Sequence, residues 1–224
     1  MILTNRLFER KQPSREAKSI YIFCEGLKRE YQYFEYFREM DSRINLEIYK
    51  LDSHEDNSPN GLMNIAKECI LATIENPNPK YTFQKNDEVW IVLDTDKDKT
   101  DSRKPQIQKI REECKQFKDW NIAQSNPCFE VWLYYHIKSE KPNFEGNDSC
   151  KVWKQFVNSI LAGGFQSNRH PIYIIEATKN AEENFESIDN VPTIGSTEVF
   201  NLSKSILPLI KSKIELVRNE IDKK

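Results

Sequence analysis

Two short apolar runs, each closed by acidic residues, frame what this chain can become. Ile20-Tyr21-Ile22-Phe23-Cys24 leads into Glu25-Gly26, and Val89-Trp90-Ile91-Val92-Leu93 leads into Asp94-Thr95-Asp96. Runs of β-branched and aromatic residues without polar alternation read as strands buried on both faces, the condition of a parallel sheet. In open α/β folds ligands bind in the crevice outside the carboxyl ends of the strands. Both acidic clusters fall at such ends. Carboxylates gathered in one crevice repel each other unless a cation sits among them, which points to Mg²⁺ and phosphate chemistry.

The elements between these runs keep an alternating rhythm. Ser19–Cys24 reads as a strand and Lys28–Met40 as a helix, with Tyr31, Phe34 and Phe37 near helical spacing. Ile44–Leu51 reads as a second strand and Asp52–Asn60 as a polar loop. Gly61–Glu75 carries a helical stripe of Leu62, Ile65, Ala66, Cys69 and Ile70, ended by Asn76-Pro77-Asn78-Pro79. Val89–Leu93 is the third strand and Lys97–Lys104 a polar loop. Pro105–Phe117 is a third helix opening on proline. Asn121–Gln124 is a fourth strand, and Pro127–Ile137 a fourth helix behind a Ser125-Asn126-Pro127 cap. This β-α-β-α order is that of a parallel sheet with right-handed crossovers. Past residue 140 the alternation stops. Lys151–Leu161, Glu176–Ile188 and Glu198–Ile221 read as helices, the last open to interruption at Pro208.

Composition narrows the setting. The 224 residues suit one large domain, or one with an appendage, and 38% apolar with 30% charged residues is globular rather than disordered. The net charge of −2 withholds the excess positive charge that nucleic-acid-binding domains often carry, although a local basic groove fits a near-neutral total. Five widely spaced cysteines without a Cys-x-x-Cys pair argue against a zinc site or a disulfide framework and for a reducing, cytoplasmic setting. No run has the ~18 apolar residues of a membrane span. Residues 1–18 carry Arg6, Arg10, Lys11, Arg15 and Lys18 without an apolar stretch, which reads as a basic flexible arm and not a secretory signal.

With the simplest doubly wound strand order, 2-1-3-4, Glu25 lies beside Asp94 and Asp96 at the topological switch point. Asp94 and Asp96 point the same way if strand geometry persists past Leu93. Acidic residues also end many strands as solvated loops or helix caps, and either cluster alone would carry that plainer reading. Their joint placement on strands one and three favours the cation site. No Gly-x-x-x-x-Gly-Lys loop accompanies them, so nucleotide hydrolysis is not supported. Ser125 and Asn126 can cap the following helix and present N–H groups to phosphate. Glu130, one turn into it, is open to two readings, a further metal ligand or a structural ion pair. His136 shares a face with Trp132 and Leu133, the position of a satisfied core-edge histidine, whereas His54 and His170 read as exposed. Asp98 and Asp101 extend the acidic loop, either as a solvated surface or toward a second metal. Lys28, Lys179 and the basic arm are candidates for backbone phosphate contacts.

Three segments in order carry a resemblance. Phe23-Cys24-Glu25-Gly26-Leu27-Lys28-Arg29-Glu30-Tyr31-Gln32-Tyr33-Phe34, Leu93-Asp94-Thr95-Asp96 and Ser125-Asn126-Pro127-Cys128-Phe129-Glu130-Val131-Trp132-Leu133-Tyr134-Tyr135-His136 resemble the motifs of the RloB family, a Toprim-like group found beside phage-defence genes. The resemblance covers about the first 140 residues. Arg29 departs from it where the family commonly has Thr. It implies an α/β Toprim-like, Rossmann-like parallel sheet flanked by helices over residues 19–140, with a helical extension over 141–224.

The resemblance also implies a Mg²⁺- or Mn²⁺-dependent nuclease of bacterial antiviral defence. Glu25 would be a metal ligand or general acid/base, Asp94 and Asp96 metal ligands, and Glu130 a further catalytic candidate. DNA or RNA, tRNA included, would be the substrate, and an AAA- or SMC-like ATPase the partner. A homo-oligomer through the C-terminal helix and a catalytically quiet nucleic-acid- or ATPase-binding sensor remain open, as does nucleotidyl transfer.

Overall fold

The computed structural model describes residues 8–96 and 100–221, with the side chains of 100–102 left aside. Its centre is a five-stranded sheet. Strands β1 (Lys18–Cys24), β2 (Ile44–Tyr49), β3 (Glu88–Asp94) and β4 (Trp120–Asn126) run parallel, in the expected 2-1-3-4 order. The arrangement is Rossmann-like, with helices on both faces.

Alternation along β1 explains the layers. Ile20, Ile22 and Cys24 join one buried cluster, and Tyr21 and Phe23 join the other. Helices α2 (Pro59–Ile70) and α3 (Thr100–Cys114) cover the Tyr21 face. The Ile20 face is covered by α1 (Arg29–Glu35), α4 (Glu130–Tyr134), α5 (Cys150–Ile160), α6 (Ile174–Glu183) and α7 (Val199–Ile221). Trp132, Trp153, Ile206 and Ile210 are wholly buried in that second layer.

Several boundaries differ from the sequence reading, each for a local reason. Helix α1 stops at Glu35, and the chain turns until Glu39 takes a left-handed φ of 61°. Helix α2 starts at Pro59 because the Ser58 hydroxyl accepts the Gly61 N–H at 3.1 Å, so this stretch is a capped first turn rather than a loop. Helix α3 starts at Thr100, within the stretch read as a polar loop, and Pro105 sits inside it rather than at its start. Helix α7 is continuous through Pro208. That proline is exposed, so the Lys204 carbonyl it leaves without an N–H donor faces water. Helix α6 ends at Glu183, and residues 187–188 form strand β5 (Ser187–Ile188) of a small hairpin with β6 (Val191–Pro192).

Strand β7 (Ser196–Thr197) is an antiparallel edge strand that sequence periodicity does not reveal. It pairs with Ser125 and Asn126 and thereby lengthens β4 beyond Gln124. Residues 8–17 have a settled course: Lys11 and Ser14 donate their N–H groups to the Glu39 and Ser42 carbonyls at 2.7 and 2.8 Å. Among the described residues, no helix is long and apolar enough to cross a membrane.

Candidate active site

The parallel registers bring the ends of β1 and β3 side by side. Cys24 pairs with Val92, and the Glu25 N–H donates to the Val92 carbonyl at 3.0 Å. The Glu25 carboxylate then accepts the Asp94 N–H at 3.2 Å. The expected juxtaposition of Glu25 with Asp94 is therefore direct. Strand geometry ends at Asp94, however. The Thr95 N–H and hydroxyl both donate to the Ser125 carbonyl, at 2.8 and 3.0 Å. Asp96 adopts φ 46° and donates its N–H to the Pro127 carbonyl at 3.0 Å. A shared direction for Asp94 and Asp96 by strand alternation does not hold. Both nonetheless line one open cleft of about 830 Å³, with Glu25, Lys28, Glu30, Glu130 and Lys154.

Glu30 and Glu130 are 9% and 3% exposed, so the cleft wall holds carboxylates that water hardly reaches. Burial first, then the charges of Glu130 and Glu25, push the Glu30 carboxyl up from 4.5 to about 7, against the pull of Lys154. Asp94 is raised well above the usual carboxylate range by desolvation and by Glu25, Glu30 and Glu130. Desolvation opposes the charge of Lys154, but Glu130 and its neighbours outweigh it and lift the ammonium above its ordinary value. A Cβ at Gly26 would stand 1.7 Å from Glu30 Oε2, so a side chain there would force the Glu30 carboxylate to move. Glu130 also faces Arg29, whose Nε lies 3.6 Å from its carboxylate.

Arg103, on the first turn of α3 and 4% exposed, is buried against the Glu25 carboxylate. Its Nη1 donates to Glu25 Oε1 at 3.0 Å, and its Nη2 donates to Glu25 Oε2 and, at 3.0 Å, to the Asp94 carbonyl. Hard carboxylate oxygen donors match the preference of Mg²⁺ or Mn²⁺ in chemistry and charge. Among the described residues, no three His, Cys, Asp or Glu side chains stand in a metal-holding arrangement. The donors fit in kind, and Glu25 is engaged by Arg103.

Other expected residues lie elsewhere. Ser125 is fully buried inside β4, its hydroxyl 2.7 Å from that of Thr197, so it neither caps α4 nor reaches a phosphate. Asn126 donates through Nδ2 to the Pro192 carbonyl at 2.7 Å and accepts the Gly195 N–H at 2.8 Å. The residue preceding α4 is Phe129, which makes no side-chain cap. Lys179 is on the outer face of α6, 3.8 Å from Glu183, and does not line the cleft. Asp98 and the side chain of Asp101 lie outside the described residues. His136 is the satisfied core histidine expected. Its Nδ1 donates to the Trp132 carbonyl and its Nε2 accepts from the Tyr33 hydroxyl, both at 3.0 Å. Burial pushes it down to about 3, so it stays neutral. His170 is half-buried, with Nδ1 accepting the Gln166 N–H at 2.8 Å, rather than exposed.

Two cleft residues escaped the sequence reading, Glu30 and Lys154, and so did Arg103, the partner of Glu25. Glu30 had a signal in the glycine four residues before it, but it stood among aromatics read as a helix face. Arg103 lies in a charged stretch and Lys154 on an amphipathic helix, neither with a mark of its own. A larger groove of about 1140 Å³ runs between α3, β4 and the start of α7. Its lining pairs Glu198 with Arg111, whereas the smaller cleft gathers Glu25, Glu30, Asp94, Asp96 and Glu130 beside Lys154, so the chemistry singles out the smaller cleft.

The family model described as RloB-like protein matches residues 20–206. No curated protein and no solved structure matches the chain.

Proposed function

The chain belongs to the RloB-like family, and we propose that it is a Mg²⁺- or Mn²⁺-dependent nuclease that cleaves phosphodiester bonds in bacterial defence against phage. The observation that carries this reading is the carboxylate cleft at the ends of β1 and β3, where burial and mutual repulsion lift Glu30 to about 7 and raise Asp94 as well. Groups with such shifts, partnered across a cleft, are candidates for a working site.

Glu25, Asp94 and Asp96 would hold the cation, with Glu130 beside them. When bound, it would neutralise charge on the scissile phosphate and lower the pKa of a water. Glu30, titrating near 7, can hold a proton at its carboxyl oxygen at neutral pH and exchange it with a reacting group. Lys154 and Lys28 bring positive charge to the cleft, where a nucleic-acid backbone would lie. The substrate is DNA or RNA, tRNA included. A separate ATPase of the AAA or SMC-like kind and a cytoplasmic setting belong to the same proposal.

The test is an incubation of purified protein with plasmid, single strands and total tRNA, with Mg²⁺ or Mn²⁺ and with chelator. Cleavage should require the metal and fall by about 10³-fold or more in the Asp94→Asn, Asp96→Asn double variant. Full activity in that variant would sink the assignment.

A second reading, a catalytically quiet subunit that binds nucleic acid or an ATPase, is favoured by the engagement of Glu25 with Arg103. On that reading the protein retains nucleic acid in a gel-shift experiment and cuts none of the substrates with either metal.

A further inference from the structure

We propose that Arg103 and a divalent cation compete for the Glu25 carboxylate, so that loading of the cleft displaces the guanidinium. This rests on reading the cleft as a cation site. Both oxygens of Glu25 accept from Arg103, and Oε2 also accepts the Asp94 N–H, which occupies both of its lone pairs. The guanidinium cannot lose its proton to make way, because arginine stays charged throughout the working pH range. Its side chain is 5% exposed, so a second cation on the same carboxylate would meet it with little screening by water.

Arg103 is also at the wrong end of its helix. The first turn of α3 carries the positive end of the helix dipole, which disfavours a cation. What holds the side chain there is Glu25 together with the Asp94 carbonyl. Among the described residues its Nε is buried without a partner, so its contacts there run through the fork. A cation that took Glu25 would remove the main reason for the arginine to stay. Arg103 thus keeps Glu25 in place before loading and sets the cation concentration at which the cleft fills.

Calorimetric titration of Mn²⁺ and Mg²⁺ into full-length wild type, Arg103→Gln, Arg103→Lys and Glu25→Gln tests this. Melting curves in chelator establish that each variant is folded. Arg103→Gln should bind Mn²⁺ about tenfold or more tightly than wild type, with Arg103→Lys between them and Glu25→Gln weakest. Equal or weaker binding by Arg103→Gln overturns the competition while leaving the cation site standing. No binding by any of the four proteins overturns both readings.

A measurement on the wild type covers the case in which Arg103→Gln does not fold. The side-chain NMR signals of Arg103, assigned by their loss in Arg103→Lys, should show a held guanidinium in chelator and a freely rotating one at saturating Mg²⁺. Signals unchanged through saturation overturn the proposal.

Discussion

At the scale of single residues, the clearest consequence of the cleft concerns Glu30. Its folded pKa is raised from 4.5 to about 7, so the native state binds more protons than the unfolded chain between those values. Its contribution to stability is therefore fully present below about pH 4.5 and is lost as the pH rises through about 7. At ~1.4 kcal/mol per unit the ceiling is about 3 kcal/mol. In chelator, Glu30→Gln should match wild type near pH 4.5 and exceed it by about 1–3 kcal/mol at pH 8, read from urea midpoints at both values. A variant less stable than wild type at pH 8 would mean that the carboxylate is not the strained group it is taken to be. Of this cleft, the acids that follow apolar runs were readable from sequence, because a strand end fixes their position. Glu30 and Arg103 were not, because their importance depends on which side chains the crossover brings opposite them.

At the scale of elements, β7 and the first residue after it decide how the second half of the chain is tied to the sheet. Glu198 accepts the Gln124 N–H at 3.0 Å and returns its own N–H to the Gln124 carbonyl at 2.8 Å. Its carboxylate also pairs with Arg111 of α3 at 2.6 Å, whose Nε already lacks a partner. Glu198→Ala would leave a half-buried guanidinium without its counter-ion and should cost about 1–3 kcal/mol in urea unfolding. Glu198→Gln should recover part of the loss by keeping an acceptor for the Gln124 N–H. Equal cost for the two variants would assign the whole effect to the charge. The four parallel strands were readable because β1 and β3 are apolar runs, β2 alternates and β4 is a short apolar stretch, each with flanking breaks, and their order is that of the simplest doubly wound sheet. Strand β7 was not, since two residues have no period, and the polarity of Ser125 and Asn126 hid the end of β4. Those residues are polar yet enclosed because β7 and its flanking loop satisfy them, a pairing that spans about seventy residues.

At the scale of the whole molecule, the question is whether residues 19–140 and 141–224, the division suggested by the end of the β-α rhythm, are separable. The buried cluster on the Ile20 face joins Ile20, Ile22 and Val92 of the sheet to Trp153 and Val157 of α5 and to Ile206, Ile210 and Ile214 of α7. Alternation stops after residue 140 because no further parallel strand is added, not because the core is complete there. A strand buried on both faces needs both layers, and the helices past residue 140 supply much of one of them. The same helices bring Lys154 to the cleft, so the later segment contributes to the site as well as to the core. A chain ending at residue 140 would expose a broad apolar sheet face, since each large buried side chain is worth about 1.5–3 kcal/mol in burial. That fragment should bind a hydrophobic dye and lack near-ultraviolet circular dichroism, and it should unfold without a cooperative transition in calorimetry, whereas the full chain unfolds cooperatively. A sharp heat-absorption peak from residues 1–140 alone would establish two independent units and confine the role of the later helices to the cleft.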